Sequence, residues 1–316
     1  MTKQKTIYKK TKNNLQYKQR LDKALTKLFP EYSRSKIKNH ILHSLVKINE
    51  KIITSPKTSV YGGEIIEITK IQKKFFWKAQ NIPLNIIYYD KDIIVINKSK
   101  NMVVHPGHGN IDGTLLNALL HYYPPIINIP RAGIVHRLDK NTTGLIVVAK
   151  TILAQNRLIN LIKKRKITRI YEAIVIGTIK ENGSINEPIK RHNIKRTNMI
   201  VHPMGKESIT HYSVIESFSN HTHLKIILET GRTHQIRVHM KHINHPIVGD
   251  PTYGKSSLKT IKKIKKNYKT ILSFLNRQAL HAKSLIFPHP ITLNKMQLHT
   301  PLPDDIKKLI KILKKN

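Results

Sequence analysis

Gly133-Ile134-Val135-His136-Arg137-Leu138-Asp139-Lys140-Asn141-Thr142-Thr143-Gly144-Leu145-Ile146-Val147-Val148-Ala149 reads as an apolar strand entering a polar loop and a second apolar strand leaving it. A carboxylate in such a loop, here Asp139, is held by a rigid frame, as a catalytic group has to be. Residue type alone leaves a second reading open, because Asp is also a common turn and capping residue.

Working outward, residues 86–89 and 93–96 flank Asp90-Lys91-Asp92 as the two strands of a hairpin. Residues 115–121 read as a short helix stopped by Pro124-Pro125, and residues 153–164 as another. Strands dominate again from Ile170. The tail carries Ile306, Leu309, Ile312 and Leu313 on one helical face, with Asp304 and Asp305 at its start and lysines at its end, as the helix dipole favours. Helices interspersed among hairpins predict a mixed, mainly antiparallel α+β domain over residues 81–316.

A smaller domain precedes it. Leu21, Ala24, Leu25, Leu28 and Phe29 form a helical stripe that stops at Pro30, and Ser33 caps a second helix carrying Ile37, Ile41 and Leu45. Val46-Lys47-Ile48, a turn at Asn49-Glu50, and residues 64–68 after Gly62-Gly63 are the strands that follow. Residues 1–18 are basic and aperiodic, which predicts a flexible arm; residues 19–80 form the small domain, with 69–82 as linker.

Lys and Arg number 57 against 18 Asp and Glu, a net charge of +39. Such a charge favours a polyanionic partner through counterion release. Lys, Ile and Asn share A/T-rich codons, a second source of the same excess, so charge does not name the partner. The absence of cysteine excludes disulfides, thiolate metal ligands and a cysteine nucleophile. With no apolar leader in the first twenty residues and no apolar run of about 18, the expectation is a cytoplasmic chain without membrane contact.

The signature goes further than its local pattern. His136-Arg137-Leu138-Asp139 followed by Thr142-Thr143-Gly144 resembles the motif of the RluA-type pseudouridine synthases. Asp92-Ile93-Ile94-Val95-Ile96-Asn97-Lys98, Tyr171-Glu172-Ala173, Gly231-Arg232-Thr233-His234-Gln235-Ile236-Arg237, His245-Pro246 and Gly249-Asp250 resemble further segments of that family, in its order. Val104-His105-Pro106-Gly107 is similar to the branch that acts on large-subunit ribosomal RNA. Ser99 stands where many members have Pro, and Thr143 where many have Ser. The small domain resembles the S4 RNA-binding domain on residues 20–25, 32–37 and 46–49.

The resemblance implies isomerisation of specific uridines to pseudouridine in 23S ribosomal RNA, free or in the assembling large subunit, by a monomer that uses no cofactor and no metal. It implies Asp139 as nucleophile or base, Arg237 as its ionic partner, Tyr171 stacked on the base, and Arg137 filling the space the base leaves or contacting phosphate. Attack at ribose C1′, abstraction of a ribose proton and attack at base C6 all need an ionised carboxylate, which a neighbouring guanidinium favours. On the small domain it implies RNA contacts by Arg20, Arg34, Lys36 and Lys38; a solvated basic face is the alternative. His234, His239, His242 and His245 have spacings that metal ligands also show, but no HExxH accompanies them, and polar or RNA-facing imidazoles are expected. Two other functions compete. A non-catalytic ribosome-assembly factor would need neither Tyr171 nor Arg237, and a glycosidase would need a second carboxylate across the bond.

Overall fold

The computed structural model describes residues 3–11, 18–29, 34–73, 77–107, 109–254 and 275–315. Contacts divide the chain into two units, Met1–Trp77 and Lys78–Asn316.

The first unit runs β1 (Lys3–Thr11), β2 (Gln19–Arg20), α1 (Leu21–Leu28), α2 (Arg34–Leu42), β3 (Val46–Ile48), β4 (Lys51–Ile52), β5 (Ser59–Val60) and β6 (Ile65–Lys73). The α1 stripe buries Leu21, Ala24, Leu25 and Phe29 fully, against Ile37 and Ile41 of α2 and Val46, Ile66 and Ile68 of the sheet. Each of the Leu, Phe, Ile and Val side chains contributes about 1.5–3 kcal/mol on leaving water. Asn49 and Glu50 both have positive φ, 45° and 68°, which suits the twist of a two-residue hairpin between β3 and β4. The Pro30 stop and the Ser33 cap lie outside the described residues.

Two expectations change here. Residues 3–11 of the basic arm form a strand that pairs with β6 over its whole length, at one edge of the order β1-β6-β3-β4. Lysines suit an edge strand, because their charge discourages further pairing on its open side, and their number hides the strand from a reading of apolar periodicity. Residues 1–2 and 12–17 of that arm lie outside the described residues. Residues 69–73 of the expected linker belong to β6.

The second unit is α+β. Its strands are β7 (Ile86–Tyr89), β8 (Ile93–Lys98), β9 (Thr143–Ala149), β10 (Thr168–Ile176), β11 (Gly183–Asn186), β12 (Ile189–Arg191), β13 (Met199–Val201), β14 (Ile209–Phe218), β15 (His221–Leu228), β16 (Leu280–Pro288) and β17 (Lys295–His299). Its helices are α3 (Leu115–Tyr122), α4 (Ile152–Lys163), α5 (Gln235–His242) and α6 (Asp304–Leu313). Among the described residues a nine-stranded sheet runs β11-β14-β15-β10-β16-β9-β8-β7, with β17 added on β16. Its pairings are antiparallel except where β16 meets β9 at His281–Thr143 and Ala282–Gly144. One apolar cluster lies around β10, β15 and α6, and a second around β8, β9 and α4. Among the described residues no helix is long and apolar enough to cross a membrane.

The segment before Asp139 is not the expected strand. Residues 130–133 form a 3₁₀ turn in which Arg131, Ala132 and Gly133 all have positive φ, and Ile134 makes a single bridge to Val148. Three successive left-handed residues cannot continue an extended chain. The strand after Asp139, β9, is fully buried.

Candidate active site

The Asp139 loop is built from its ends inward. At one end the chain presses against β9. A Cβ on Gly133 would lie 1.8 Å from the Ala149 carbonyl oxygen, so no side chain fits there. His136 Nε2 accepts the Val147 N–H at 3.0 Å. Burial, with Arg169 adding to it, pushes the His136 imidazole down to about 3, so this acceptor nitrogen stays bare. At the other end Gly144, with φ 112°, passes so close to β16 that a Cβ would stand 2.2 Å from the Ala282 carbonyl oxygen.

Between these anchors, buried donors take up the loop's carbonyls. Lys98 Nζ donates to Lys140 O at 3.1 Å, and to Ser99 O and Met102 O at 2.7 and 3.0 Å. Burial pushes its ammonium down to about 7; Asp139 opposes that fall and Arg277 adds to it. Arg277 Nη1 donates to Asn141 O at 3.2 Å, while its Nε and Nη2 grip Asp305 of α6 at 2.8 Å each. Gln278 Nε2 donates to Thr142 Oγ1 at 3.0 Å, and the Thr142 N–H closes the turn on Asp139 O at 3.1 Å. Hydrogen bonds with a charged partner contribute about 1.5–3 kcal/mol each, enough to give a polar loop one geometry.

Arg237 comes to this loop from α5. Its Nε and Nη2 form a fork on Asp250 at 2.7 and 2.9 Å, and its Nη1 donates to Asp139 Oδ2 at 3.1 Å. Asp250 is itself fixed by the Thr252 and Tyr253 N–H groups at 2.9 and 3.0 Å. Burial works against the guanidinium's charge, but Asp250 and then Asp139 outweigh it and raise its pKa. The turn leading into α5 is closed by Gln235, whose Oε1 accepts from Thr230 Oγ1 and Arg232 N and whose Nε2 donates to Ile209 O and Thr210 Oγ1.

Asp139, Arg237, Tyr171 and Arg137 all line one cavity of about 480 Å³. Tyr171, near the start of β10, is buried; burial raises its hydroxyl's pKa, Arg169 opposing and Asp139 adding. Arg137 is exposed at this cavity. Arg131, Lys163, Arg165, Arg169 and Arg232 complete a cationic lining. Such a lining attracts a polyanion to a site whose centre is a carboxylate.

The other expected residues are distributed differently. Arg20 and Arg34 both pair with Asp22, through contacts of 2.7–3.2 Å, and stay about half exposed. Burial alone would raise the Asp22 carboxyl, but Arg34 and Arg20 outweigh it and lower its pKa. Lys38 is exposed on α2, and the side chain of Lys36 lies outside the described residues. His239 bonds Thr210 Oγ1 and Glu187 O, and His245 bonds Ile176 O, so these imidazoles take separate partners.

Asp90, Asp92 and His289 also come together. There His289 Nδ1 accepts the N–H groups of Ile291 and Thr292, and its Nε2 lies 2.9 Å from Asp90 Oδ2.

The sequence assigns Lys98 and Asp250 no role, and it does not bring Arg277 or Asp305 to the site. Pro or Gly signals and periodicity carry no information about contacts between residues 42, 98 or 136 positions apart.

A family model described as RNA pseudouridylate synthase matches residues 92–242, and one described as S4 domain matches residues 19–66. Ribosomal large subunit pseudouridine synthase D of Yersinia pestis is 56% identical over 297 residues, which cover 94% of this chain and 91% of that protein. The protein of the same name from Haemophilus influenzae is 54% identical with the same coverage. The solved structure of human RNA pseudouridylate synthase domain containing 1 is similar with a TM-score of 0.55 at 25% identity, covering 75% of this chain and 97% of that one.

Proposed function

The chain belongs to the RNA pseudouridylate synthase family, and from that premise we propose that it isomerises specific uridines of large-subunit ribosomal RNA, 23S, with Asp139 as the essential nucleophile or base. The observation that carries this reading is the Asp139–Arg237 contact of 3.1 Å at a cavity of about 480 Å³ that Tyr171 also lines. Uridine and pseudouridine are isomers: the N1–C1′ bond breaks, a C5–C1′ bond forms, C5 gives up its proton and N1 gains one. No redox partner is called for.

The target base leaves its stack to enter the cavity. Tyr171 supports the uracil ring, Arg137 occupies the place it leaves, and the surrounding cations hold the flanking phosphates. Asp139, kept charged by Arg237, then acts on the ribose or on C6. The S4 domain adds phosphate contacts through Arg20, Arg34, Lys36 and Lys38, and the enzyme works as a monomer in the cytoplasm.

A tritium-release assay on C5-labelled ribosomal RNA tests the reading. Release that depends on the protein is expected; tight binding without release would favour a ribosome-assembly role instead.

A further inference from the structure

We infer that His234 is a positioning residue for Asp139, that Tyr253 sets its tautomer, and that Oδ1 of Asp139 is therefore the oxygen left to react. The inference rests on the role proposed above for Asp139.

His234 precedes α5 with φ 57° and ψ 18°, a left-handed conformation that residues with a Cβ rarely adopt. Such conformations persist where the surroundings over-determine them, and they cluster at functional sites. Here the turn aims the imidazole between two groups. Its Nε2 lies 3.9 Å from Asp139 Oδ2, and its Nδ1 lies 2.9 Å from Tyr253 Oη.

Tyr253 is buried, and its Oη already accepts the Met199 N–H at 2.8 Å. A buried hydroxyl proton needs an acceptor, and among the described residues His234 Nδ1 is the one within reach. Nδ1 therefore accepts, and the proton of the neutral ring sits on Nε2, facing Asp139. Burial lowers the ring's pKa, against the pull of Asp139, and so favours the neutral form.

Arg237 Nη1 addresses the same oxygen, Oδ2, at 3.1 Å. No donor among the described residues reaches Oδ1. One donor leaves a carboxylate free to turn about its Cβ–Cγ bond; a second on Oδ2, once His234 closes on it, fixes that torsion and turns Oδ1 to the substrate. At 3.9 Å the His234 contact is longer than a hydrogen bond, and such contacts tighten as substrate fills a site. The Tyr253 ring also faces the Arg237 guanidinium, 5.0 Å from its centroid, so one side chain orients both donors.

Single-turnover pseudouridine formation, RNA affinity and thermal unfolding, measured together, test this. His234→Ala is expected to slow the reaction roughly 10- to 100-fold, by analogy with residues that orient metal ligands, with RNA affinity unchanged. His234→Gln, whose amide nitrogen reaches the Nε2 position, recovers most of that rate. Tyr253→Phe slows it less, and the double variant is no slower than His234→Ala, because Tyr253 acts through His234. A wild-type rate for His234→Ala, no recovery by Gln, or losses that multiply in the double variant would overturn the inference. If His234→Ala does not fold, a wild-type rate for Tyr253→Phe overturns it. Asp139→Asn separates the two levels: turnover by that variant sinks the role of Asp139 itself, whereas a dead Asp139→Asn beside a fully active His234→Ala sinks this inference alone.

Discussion

Each of the two units holds a cluster of arginine and aspartate, and the two clusters are opposite in stoichiometry. In the catalytic unit one guanidinium spans two carboxylates: Arg237 grips Asp250 and reaches Asp139 with the nitrogen that remains. In the N-terminal unit two guanidiniums, Arg20 and Arg34, share the single carboxylate of Asp22. The first arrangement leaves a surplus negative charge with a free oxygen at a cavity. The second leaves a surplus positive charge on half-exposed side chains. Burial widens the difference, because the Arg237 side chain is 6% exposed while those of Arg20 and Arg34 are 44% and 53% exposed. The same pair of residue types thus leaves a carboxylate oxygen open at a cavity in one place and half-exposed guanidiniums in the other.

Breaking the buried cluster has the larger effect. Asp250→Asn leaves the Arg237 charge half-paired, and removing one partner of a buried ion pair costs about 3–5 kcal/mol. A large fall in the midpoint of denaturant unfolding is expected, with turnover lost in whatever folds. A variant as stable and active as the wild type would show that the fork does not organise the site.

Lys98 sharpens the comparison through pH. Its folded pKa of about 7 is below the ordinary 10.5. Between those values the unfolded chain binds the proton that the folded chain has released, so this group's contribution makes stability rise with pH across that window. The slope is at most about 1.4 kcal/mol per pH unit. Chemical denaturation from pH 7 to 10 is expected to show a flatter profile for Lys98→Met than for the wild type; equal slopes would mean that Lys98 keeps its charge.

The exposed cluster gives the smallest effect. Arg34→Ala is expected to weaken RNA binding and to reduce the slope of log affinity against log salt by roughly 0.7–0.9, the range for one phosphate contact on single-stranded to duplex nucleic acid. Its single-turnover rate at saturating enzyme should stay that of the wild type. An unchanged salt slope would remove Arg34 from the RNA contact.

How far the sequence went differs between the two clusters as well. The sequence located α1, α4 and α6 to within a few residues, because each buries a stripe along one face; α3 was bounded by Pro124-Pro125 instead, and it buries six successive residues. The hydrophobic run of β9 and the Asp139 signature were legible for the same local reason. The 3₁₀ turn before Asp139 was missed because Ile134 and Val135 are apolar and β-branched, while the backbone is decided by three left-handed residues just upstream. Strand β1 was missed because an edge strand needs no apolar alternation. The pins on the active loop were missed for a different reason. Lys98, Arg277 and Asp305 act through side-chain bonds to distant carbonyls, and one buried lysine looks like any other among 57 cations.

The central claim is that Asp139 carries the chemistry. Single-turnover tritium release from C5-labelled ribosomal RNA by Asp139→Asn, with affinity and unfolding measured on the same preparation, tests it most directly. The expected result is a folded protein that binds RNA as the wild type does and releases no tritium; measurable release by that variant would contradict the account.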